Sequence, residues 1–245
     1  MTSAQAFPAT RDVSELLGPE YPPDRRATAQ LTVRAIMAMT LNGSAALDGT
    51  SGKLGNATDS ALLLGVRGWA DIVLVGASTV VAEDYGGTPA TPQRPQPAPI
   101  AVLSKSLKLS PQARLFSNTH AQPFIACPHE TLMNEDLAHR RQRLREAGAR
   151  FIDCGDGSPT AILQALAAQG FEKISCEGGP NVLGPMVAAG LIDQFYLTLD
   201  PHLGAAAETP LTSHATPTWS RFELEHVAPV ADGTVFLRYR RALSP

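Results

Sequence analysis

The sequence predicts an α/β fold: a mixed, mostly parallel sheet with helices on both faces and a C-terminal antiparallel hairpin. Short apolar runs typical of buried strands alternate with helical patterns along residues 31–200. Two of these strands run directly into glycine turns that begin helices, and the last part of the chain alternates apolar and polar residues around an Asp-Gly pair. The 245 residues are 44% hydrophobic, so one large domain has ample core.

Net charge and cysteine content argue against several classes of function. The net charge of −3 argues against a broad nucleic-acid or membrane surface and favours a small-molecule partner. No apolar segment approaches membrane-spanning length, and residues 1–10 lack the pattern of a signal peptide. Cys127, Cys154 and Cys176 lie far apart in or beside apolar runs, so we expect buried, reduced thiols and a cytoplasmic protein. With no CxxC, HxE or HExxH pattern, no metal site is expected.

Residues 1–30 are predicted to form an arm ahead of a single domain at 31–245. A brief apolar patch, Val13 to Leu17, stands among several prolines: Pro8, Pro19, Pro22 and Pro23. This composition allows one or two helical turns at most. We expect the arm to pack against the body or a partner subunit.

Strand and helix patterns alternate through the first half of the body. We predict a central strand at Leu31–Leu41, a helix from Thr58 to Gly68, a strand at Asp71–Val75 and a short helix at Val80–Asp84. Asn42-Gly43 gives a turn signal after the first strand, and Ser78 is a candidate cap of the short helix.

The second half repeats these patterns after a proline-rich loop at 86–99. We predict strands at Ile100–Leu103, Pro123–Cys127 and Arg150–Cys154, helices at Asn134–Ala147 and Ala161–Ala168, and a hairpin of Trp219–Val227 with Thr234–Arg240. Four arginines of the charged helix are expected on one solvated face: Arg140, Arg141, Arg143 and Arg145.

The stretch from Phe171 to Pro201 reads as strand, glycine turn, helix and strand. Gly178-Gly179 breaks the first apolar run, and Pro180 follows at a first helical position. Ligands bind at the carboxyl ends of strands in open α/β sheets, and a helix start favours phosphate. The alternative is a tight turn without a ligand. We expect Gly179 to need either φ > 0 or close phosphate approach.

A second junction of this kind follows Asp71–Val75, at Gly76 to Thr79. Two junctions on one parallel sheet bring two sets of backbone donors to the same edge, which suits the pyrophosphate of a dinucleotide. Because no GxGxxG occurs, a standard Rossmann dehydrogenase is not supported.

Four motifs in this order resemble the reductase domain of riboflavin biosynthesis, which in many bacteria is the C-terminal half of a bifunctional deaminase–reductase. They are Thr40-Leu41-Asn42-Gly43, Leu74 to Glu83, Glu177-Gly178-Gly179-Pro180 and Gly190 to Asp193. The resemblance covers about residues 30 to 240. It implies a dihydrofolate-reductase-like fold, a stand-alone reductase and a homodimer.

The resemblance also implies a reaction and a set of site residues. The family reduces the ring-opened ribosyl imine of an aminopyrimidine phosphate with NADPH. It places Asn42 and Glu177 at catalytic positions, and Arg67, Glu83 and Glu177 near the substrate. The expected cofactor-binding residues are Ala38, Met39, Gly76, Ser78, Thr79, Ser104, Lys105, Gly178, Gly179, Pro180, Asn181, Val182 and Leu183. Among these, Ser104 and Lys105 are candidates for the 2′-phosphate.

One departure from the family pattern affects the expected chemistry. Asn42 stands where the family usually has Asp, and an amide does not exchange protons near neutral pH. Asp48 would replace it only if its loop folds back. A reductase of another heterocycle, such as a pterin or dihydrofolate, therefore stays open, as does a nucleotide-binding protein without catalysis.

Several of these residues also have purely structural alternatives. Glu177 would cap its own helix start, Arg67 would complement a helix C-terminus, and Lys105 would be a surface lysine.

Overall fold

Nine strands of the computed structural model lie in one sheet. The structure describes residues 7–20, 31–91, 94–117 and 120–242. The strands are β1 Thr32–Thr40, β2 Ile72–Gly76, β3 Ile100–Leu103, β4 Phe124–Cys127, β5 Arg150–Asp153, β6 Lys173–Cys176, β7 Gln194–Asp200, β8 Phe222–Pro229 and β9 Val235–Arg241. Their order across the sheet is β5-β4-β3-β2-β6-β1-β7-β9-β8. Strands β1 to β7 are parallel and the β8–β9 hairpin is antiparallel, as predicted.

Helices cover both faces of the sheet. They are α1 Val13–Leu17, α2 Ala57–Trp69, α3 Ala77–Ala82, α4 Arg114–Ser117, α5 His129–Met133, α6 Ala138–Glu146, α7 Pro159–Ala168 and α8 Pro180–Ala188, with 3₁₀ turns at Ser51–Lys53 and Glu135–Leu137. No helix of the described residues is long and apolar enough to cross a bilayer.

Alternation along β2 shows how the sheet divides the core. Ile72 and Leu74 pack into the cluster under α7 and α8, whereas Val73 and Val75 pack on the opposite face with Leu144 of α6. Every residue of β2 is buried, because successive side chains point to opposite faces and both faces are covered.

The described part of the arm, residues 7–20, packs on the body. Leu16 of α1 is buried in a cluster with Ile36, Tyr196 and Phe236. The Tyr196 hydroxyl donates a hydrogen bond to the Leu17 carbonyl at 2.8 Å. Pro22 and Pro23 of the predicted arm lie outside the described residues.

Ser78 and Trp219 differ from the prediction. Helix α3 begins directly after Gly76, which takes the N-cap position without a side-chain bond, so Ser78 lies inside the helix and caps nothing. Strand β8 begins at Phe222, and Trp219 lies before it with 93% of its surface exposed.

The predicted charged helix, Asn134–Ala147, is two elements, and one of its four arginines is not on a solvated face. Residues Glu135–Leu137 form a 3₁₀ turn before α6. Arg141 is buried because its guanidinium donates to the carbonyls of Thr131 and Asn134, at 3.0 and 2.5 Å. An arginine at a helix end satisfies carbonyl groups that have no partner within the helix.

Candidate active site

The carboxyl ends of the parallel strands carry a cleft with two cavities. One cavity, of about 460 Å³, runs along the ends of β2 to β5 and the start of α8. The other, of about 290 Å³, lies between the end of β1, the first turn of α2, α3 and the end of β6. Both are lined by Ser78 and Gly179, so the cavities meet at the two predicted glycine junctions.

Backbone contacts bring the two glycine junctions together. The Gly76 N–H donates to the Gly178 carbonyl at 2.7 Å, because β2 and β6 are neighbours in the sheet. The Gly179 N–H donates to the Thr79 hydroxyl at 2.9 Å. The Gly178–Gly179 peptide bond is cis.

The two glycines meet different requirements. Positive φ occurs at Gly178, at +75°, whereas Gly179 has φ −68°. Of the two alternatives expected for Gly179, the positive φ is therefore wrong, and close phosphate approach stays a prediction. Gly179 is close-packed: a Cβ there would lie 2.8 Å from the Thr79 hydroxyl oxygen. A side chain at either position would therefore displace the wall of the cleft.

The larger cavity carries polar groups of the kind that bind phosphate. Its walls combine four strand ends and the first turn of α8 with few large side chains. Ser104 is buried and accepts a hydrogen bond from the Leu107 N–H at 3.1 Å, which leaves its hydroxyl hydrogen available to a ligand. Lys105 next to it is exposed, and its ammonium carries a positive charge at the rim.

The smaller cavity is lined by three carboxylates, Asp59, Glu83 and Glu177. Glu177 forms a two-pronged ion pair with Arg67, at 2.7 Å from Nε to Oε1 and 2.6 Å from the second guanidinium nitrogen to Oε2. Only 14% of the Arg67 side chain and 2% of the Glu177 side chain are exposed. Tyr85 completes the group by donating its hydroxyl to Glu177 Oε2 at 2.8 Å.

Burial and charge fix the protonation states around Glu177. Burial alone would lower the pKa of Arg67, but the charge and hydrogen bonds of Glu177 outweigh it and raise the pKa. Burial, and then the negative charge of Glu177, raise the pKa of the Tyr85 hydroxyl well above its ordinary value. Arg67 is therefore a permanent cation and Tyr85 a neutral donor. Glu177 also accepts from the Ser175 hydroxyl at 3.4 Å, so four donors meet the roughly four lone-pair directions of its carboxylate. The Ser175 contact is the longest of the four and is the one that a ligand donor in the cavity would replace.

Glu83 and Asp59 differ in their partners. Glu83 accepts from the Thr50 hydroxyl at 2.7 Å and the Ser51 N–H at 2.6 Å, which fixes the loop after β1 on the cavity. Asp59 accepts from the hydroxyl of Thr198 at 2.5 Å. Burial, with a smaller contribution from the charge of Asp200, raises the pKa of Asp59, while the Thr198 hydrogen bond acts in the opposite direction.

Most of the predicted site residues line the cleft. The larger cavity is lined by Gly76, Ser78, Ser104, Lys105, Gly179, Asn181 and Val182. The smaller one is lined by Ala38, Ser78, Thr79, Glu83, Glu177, Gly179 and Pro180. Apart from Asn42, four predicted residues line neither cavity: Met39, Arg67, Gly178 and Leu183. Arg67 reaches the site only through Glu177, and Leu183 is buried in the core below α8.

Asn42 lies outside both cavities. Its side-chain oxygen accepts from the Thr40 hydroxyl at 2.7 Å and from the Gly204 N–H at 3.3 Å. These bonds direct the amide toward the loop after β7. Asp48, the possible replacement, is exposed and pairs with Lys53 at 2.7 Å.

Sequence reasoning missed Tyr85 and Asp59. Tyr85 follows Glu83 by two residues, but no local pattern shows that its hydroxyl reaches Glu177, 92 residues away. Asp59 follows Thr58 at the start of the predicted helix, and the sequence assigns it no role in the site. An acid in the first turn of the helix after the central strand was the available signal, because parallel α/β units place that turn near the sheet edge.

The chain is similar to a solved reductase-like protein and matches one protein-family model. A 30%-identical structural neighbour, a pyrimidine reductase-like protein of Corynebacterium diphtheriae, has a TM-score of 0.79 over 88% of this chain and 93% of its own. The family model of the RibD C-terminal domain matches residues 31–236. The chain therefore belongs to the RibD C-terminal domain family.

Two further proteins extend the comparison. The 2,5-diamino-6-ribosylamino-4(3H)-pyrimidinone 5′-phosphate reductase of Methanothermobacter thermautotrophicus is 28% identical over 67% of this chain and 74% of its own. The riboflavin biosynthesis reductase Rib7 of Saccharomyces cerevisiae has a TM-score of 0.62 at 14% identity, over 86% of this chain and 90% of its own, and shows the shared fold.

Proposed function

We propose that this chain is an NADPH-dependent pyrimidine reductase that reduces the ribosyl imine of an aminopyrimidine 5′-phosphate in riboflavin biosynthesis. The observation that carries the proposal is the junction of the two cavities at Gly179 and Ser78, which lets ligands in the two halves of the cleft meet. The archaeal relative is named for a reduction of this kind.

The larger cavity is the proposed cofactor site. Asn181 and Val182 at the start of α8 would hold the pyrophosphate, and Ser104 with Lys105 would hold the 2′-phosphate. Gly76 and Gly179 both line this cavity, and a Cβ at Gly76 would lie 3.1 Å from Val182, so a side chain there would crowd the wall that the pyrophosphate would lie against. When bound, the reduced nicotinamide supplies a hydride.

The smaller cavity is the proposed substrate site. Glu177 would accept hydrogen bonds from donor groups of the heterocycle, with its orientation fixed by Arg67 and Tyr85. Glu83 would hold the loop that covers the substrate. Neither role requires Asn42, whose amide faces away.

One observation favours a second candidate, a reductase of another heterocycle such as a pterin. Among its described lining residues the smaller cavity has three acids and no basic side chain. A substrate phosphate would therefore have to lie at its mouth, whereas an unphosphorylated heterocycle with several N–H donors would fit within it.

The test is NADPH oxidation measured with each substrate class. The purified chain is mixed with the ring-opened ribosylaminopyrimidine phosphate, its dephosphorylated form or dihydrofolate. Turnover of the phosphate, with the ribityl product identified by mass, supports the first candidate. Turnover confined to dihydrofolate supports the second, and NADPH binding without turnover on any of them would contradict both.

We further propose that the chain acts as a homodimer in the cytoplasm. Its three cysteines are free and buried, which fits a reducing compartment. The apolar run Gln194–Leu199 has the sequence of a possible edge strand, but it is not at an edge, because β7 lies between β1 and β9. The edge strand is β8, where Leu224 and Val227 are exposed.

A further inference from the structure

We propose that Asp59 is the catalytic acid of this reductase, the group that gives a proton to the substrate nitrogen as its C=N bond is reduced. The inference rests on the proposed function and deepens it. The resemblance that pointed to Asn42 gave Asp59 no role.

Position is the first argument. Asp59 lies in the first turn of α2 and lines the smaller cavity, as do Ser78 and Gly179, the two residues that also line the larger one. Its Oδ1 atom accepts from the Thr198 hydroxyl at 2.5 Å, which orients the carboxyl group. A proton donor must reach the reacting atom, and this residue lines the half of the cleft that is proposed to hold the substrate.

The partners of the three cavity carboxylates supply the second argument. Glu177 is held by the Arg67 cation and the Tyr85 hydroxyl, and Glu83 accepts two short hydrogen bonds. Asp59 has a hydroxyl partner and a second carboxylate, Asp200, nearby. Carboxylates in one site whose environments differ in this way take different acid–base roles.

The charges that face Asp59 are mostly negative. From β7 comes Asp200, which itself accepts from the Gly55 N–H at 2.8 Å and contacts His202. From the other cavity walls come Glu83 and Glu177, the second with its Arg67 partner. Burial first, and then Asp200, raise the pKa of Asp59, so this carboxyl retains its proton to a higher pH than an exposed aspartate.

The proton balance of the step follows. Reduction of the imine adds a hydride, with its electron pair, to the sugar carbon and a proton to the nitrogen. The C=N π bond breaks, a C–H and an N–H bond form, and the product is a secondary amine. The O–H bond of protonated Asp59 breaks to supply the proton, and the carboxylate regains one from water.

Asp59→Asn is the first test variant, with Asp136→Asn, an exposed aspartate next to α6, as its matched control. We expect kcat/KM to fall at least roughly 100-fold, since general acid catalysis contributes about 10²–10⁴-fold, with the NADPH dissociation constant within about twofold. The control should keep wild-type activity. A variant within about threefold of wild type would overturn the inference.

Thr198→Val is the second test variant. It removes the hydrogen bond that lowers the Asp59 pKa, so the alkaline fall of kcat/KM should move to higher pH. An unchanged alkaline limb would overturn the inference.

The pH dependence of the free energy of unfolding, which does not depend on enzyme activity, completes the test. Because the folded pKa of Asp59 lies above its ordinary value of 3.8, the stability it contributes is complete below that pH and is lost as pH rises through the folded pKa. Asn carries no such proton, so Asp59→Asn should gain unfolding free energy relative to wild type as the pH rises above 3.8. A pH-independent difference would contradict the inference. A wild type that reduces no substrate would overturn the proposed function itself, and the inference with it.

Discussion

At the scale of single residues, the sequence predicts where Glu177 lies but not which residues it contacts. The motif placed it at a strand end before the glycine turn, and the structure has it on the cavity wall. Its partnership with Arg67 joins residues 110 positions apart, and no local pattern contains that information. The two structural alternatives, a helix cap for Glu177 and a helix-end contact for Arg67, involve only groups that are close in the sequence.

Glu177→Gln should destabilise the protein, because it leaves the buried Arg67 cation without a counter-charge. We expect the free energy of unfolding to fall by about 3–5 kcal/mol in urea denaturation. Glu223→Gln is the matched control, since Glu223 pairs with Arg240 at a largely exposed site. Its loss should stay below about 1 kcal/mol. Equal small losses for both variants would show that the Arg67–Glu177 pair is not buried as described.

The same variant should separate substrate from cofactor. Where Glu177→Gln remains folded, NADPH affinity should stay within about threefold while kcat/KM falls at least roughly tenfold. The reason is that Glu177 lines the smaller cavity and not the larger one. Loss of cofactor binding with turnover intact at saturating NADPH would place Glu177 in the cofactor site.

Lys105→Gln should change cofactor preference. Loss of a charge-assisted contact with the 2′-phosphate corresponds to about 1.5–3 kcal/mol, so NADPH affinity should fall roughly tenfold to a hundredfold while NADH affinity is unchanged. Lys108→Gln, an exposed lysine three residues on, is the control. Calorimetric titration with both cofactors decides: equal effects on NADPH and NADH would mean that Lys105 does not contact the phosphate.

At the scale of elements, the glycine turn between β6 and α8 carries the cleft. Gly179→Val should abolish NADPH binding without unfolding the protein, since a Cβ there would lie 2.8 Å from the Thr79 hydroxyl oxygen, at the junction of both cavities. Gly170→Ala is the control, because it strains a positive φ of +89° in a loop that lines neither cavity. Normal NADPH binding by Gly179→Val would mean that the turn has no ligand.

The elements themselves were predictable where the periodicity was strong. Strands β1 to β6 and helices α2, α7 and α8 lie within a few residues of their predicted positions, because apolar runs and glycine or proline signals mark their ends. The errors have local causes. Gly76 rather than Ser78 takes the N-cap position of α3. The buried guanidinium of Arg141 donates to a carbonyl at the end of α5. The periodicity of apolar residues does not indicate which group a side chain contacts across a loop.

At the scale of the whole molecule, the β8 edge predicts assembly. Leu224 and Val227 are exposed on this strand, and Trp219 before it is 93% exposed. We expect light scattering at micromolar concentration to give about twice the 25.9 kDa of one chain, consistent with a two-fold symmetric dimer. Leu224→Lys should shift the mass toward the monomer. A wild-type mass of one chain would rule the dimer out.

The central claim is that the cleft divides into a cofactor half and a substrate half that meet at Ser78 and Gly179. A crystal structure of the protein with NADP⁺ tests it most directly. We predict the pyrophosphate at the start of α8, the 2′-phosphate at Ser104 and Lys105, and the nicotinamide ring at the junction, facing Asp59 and Glu177 across the smaller cavity. A dinucleotide bound outside the larger cavity, or a nicotinamide ring far from Gly179, would contradict the account.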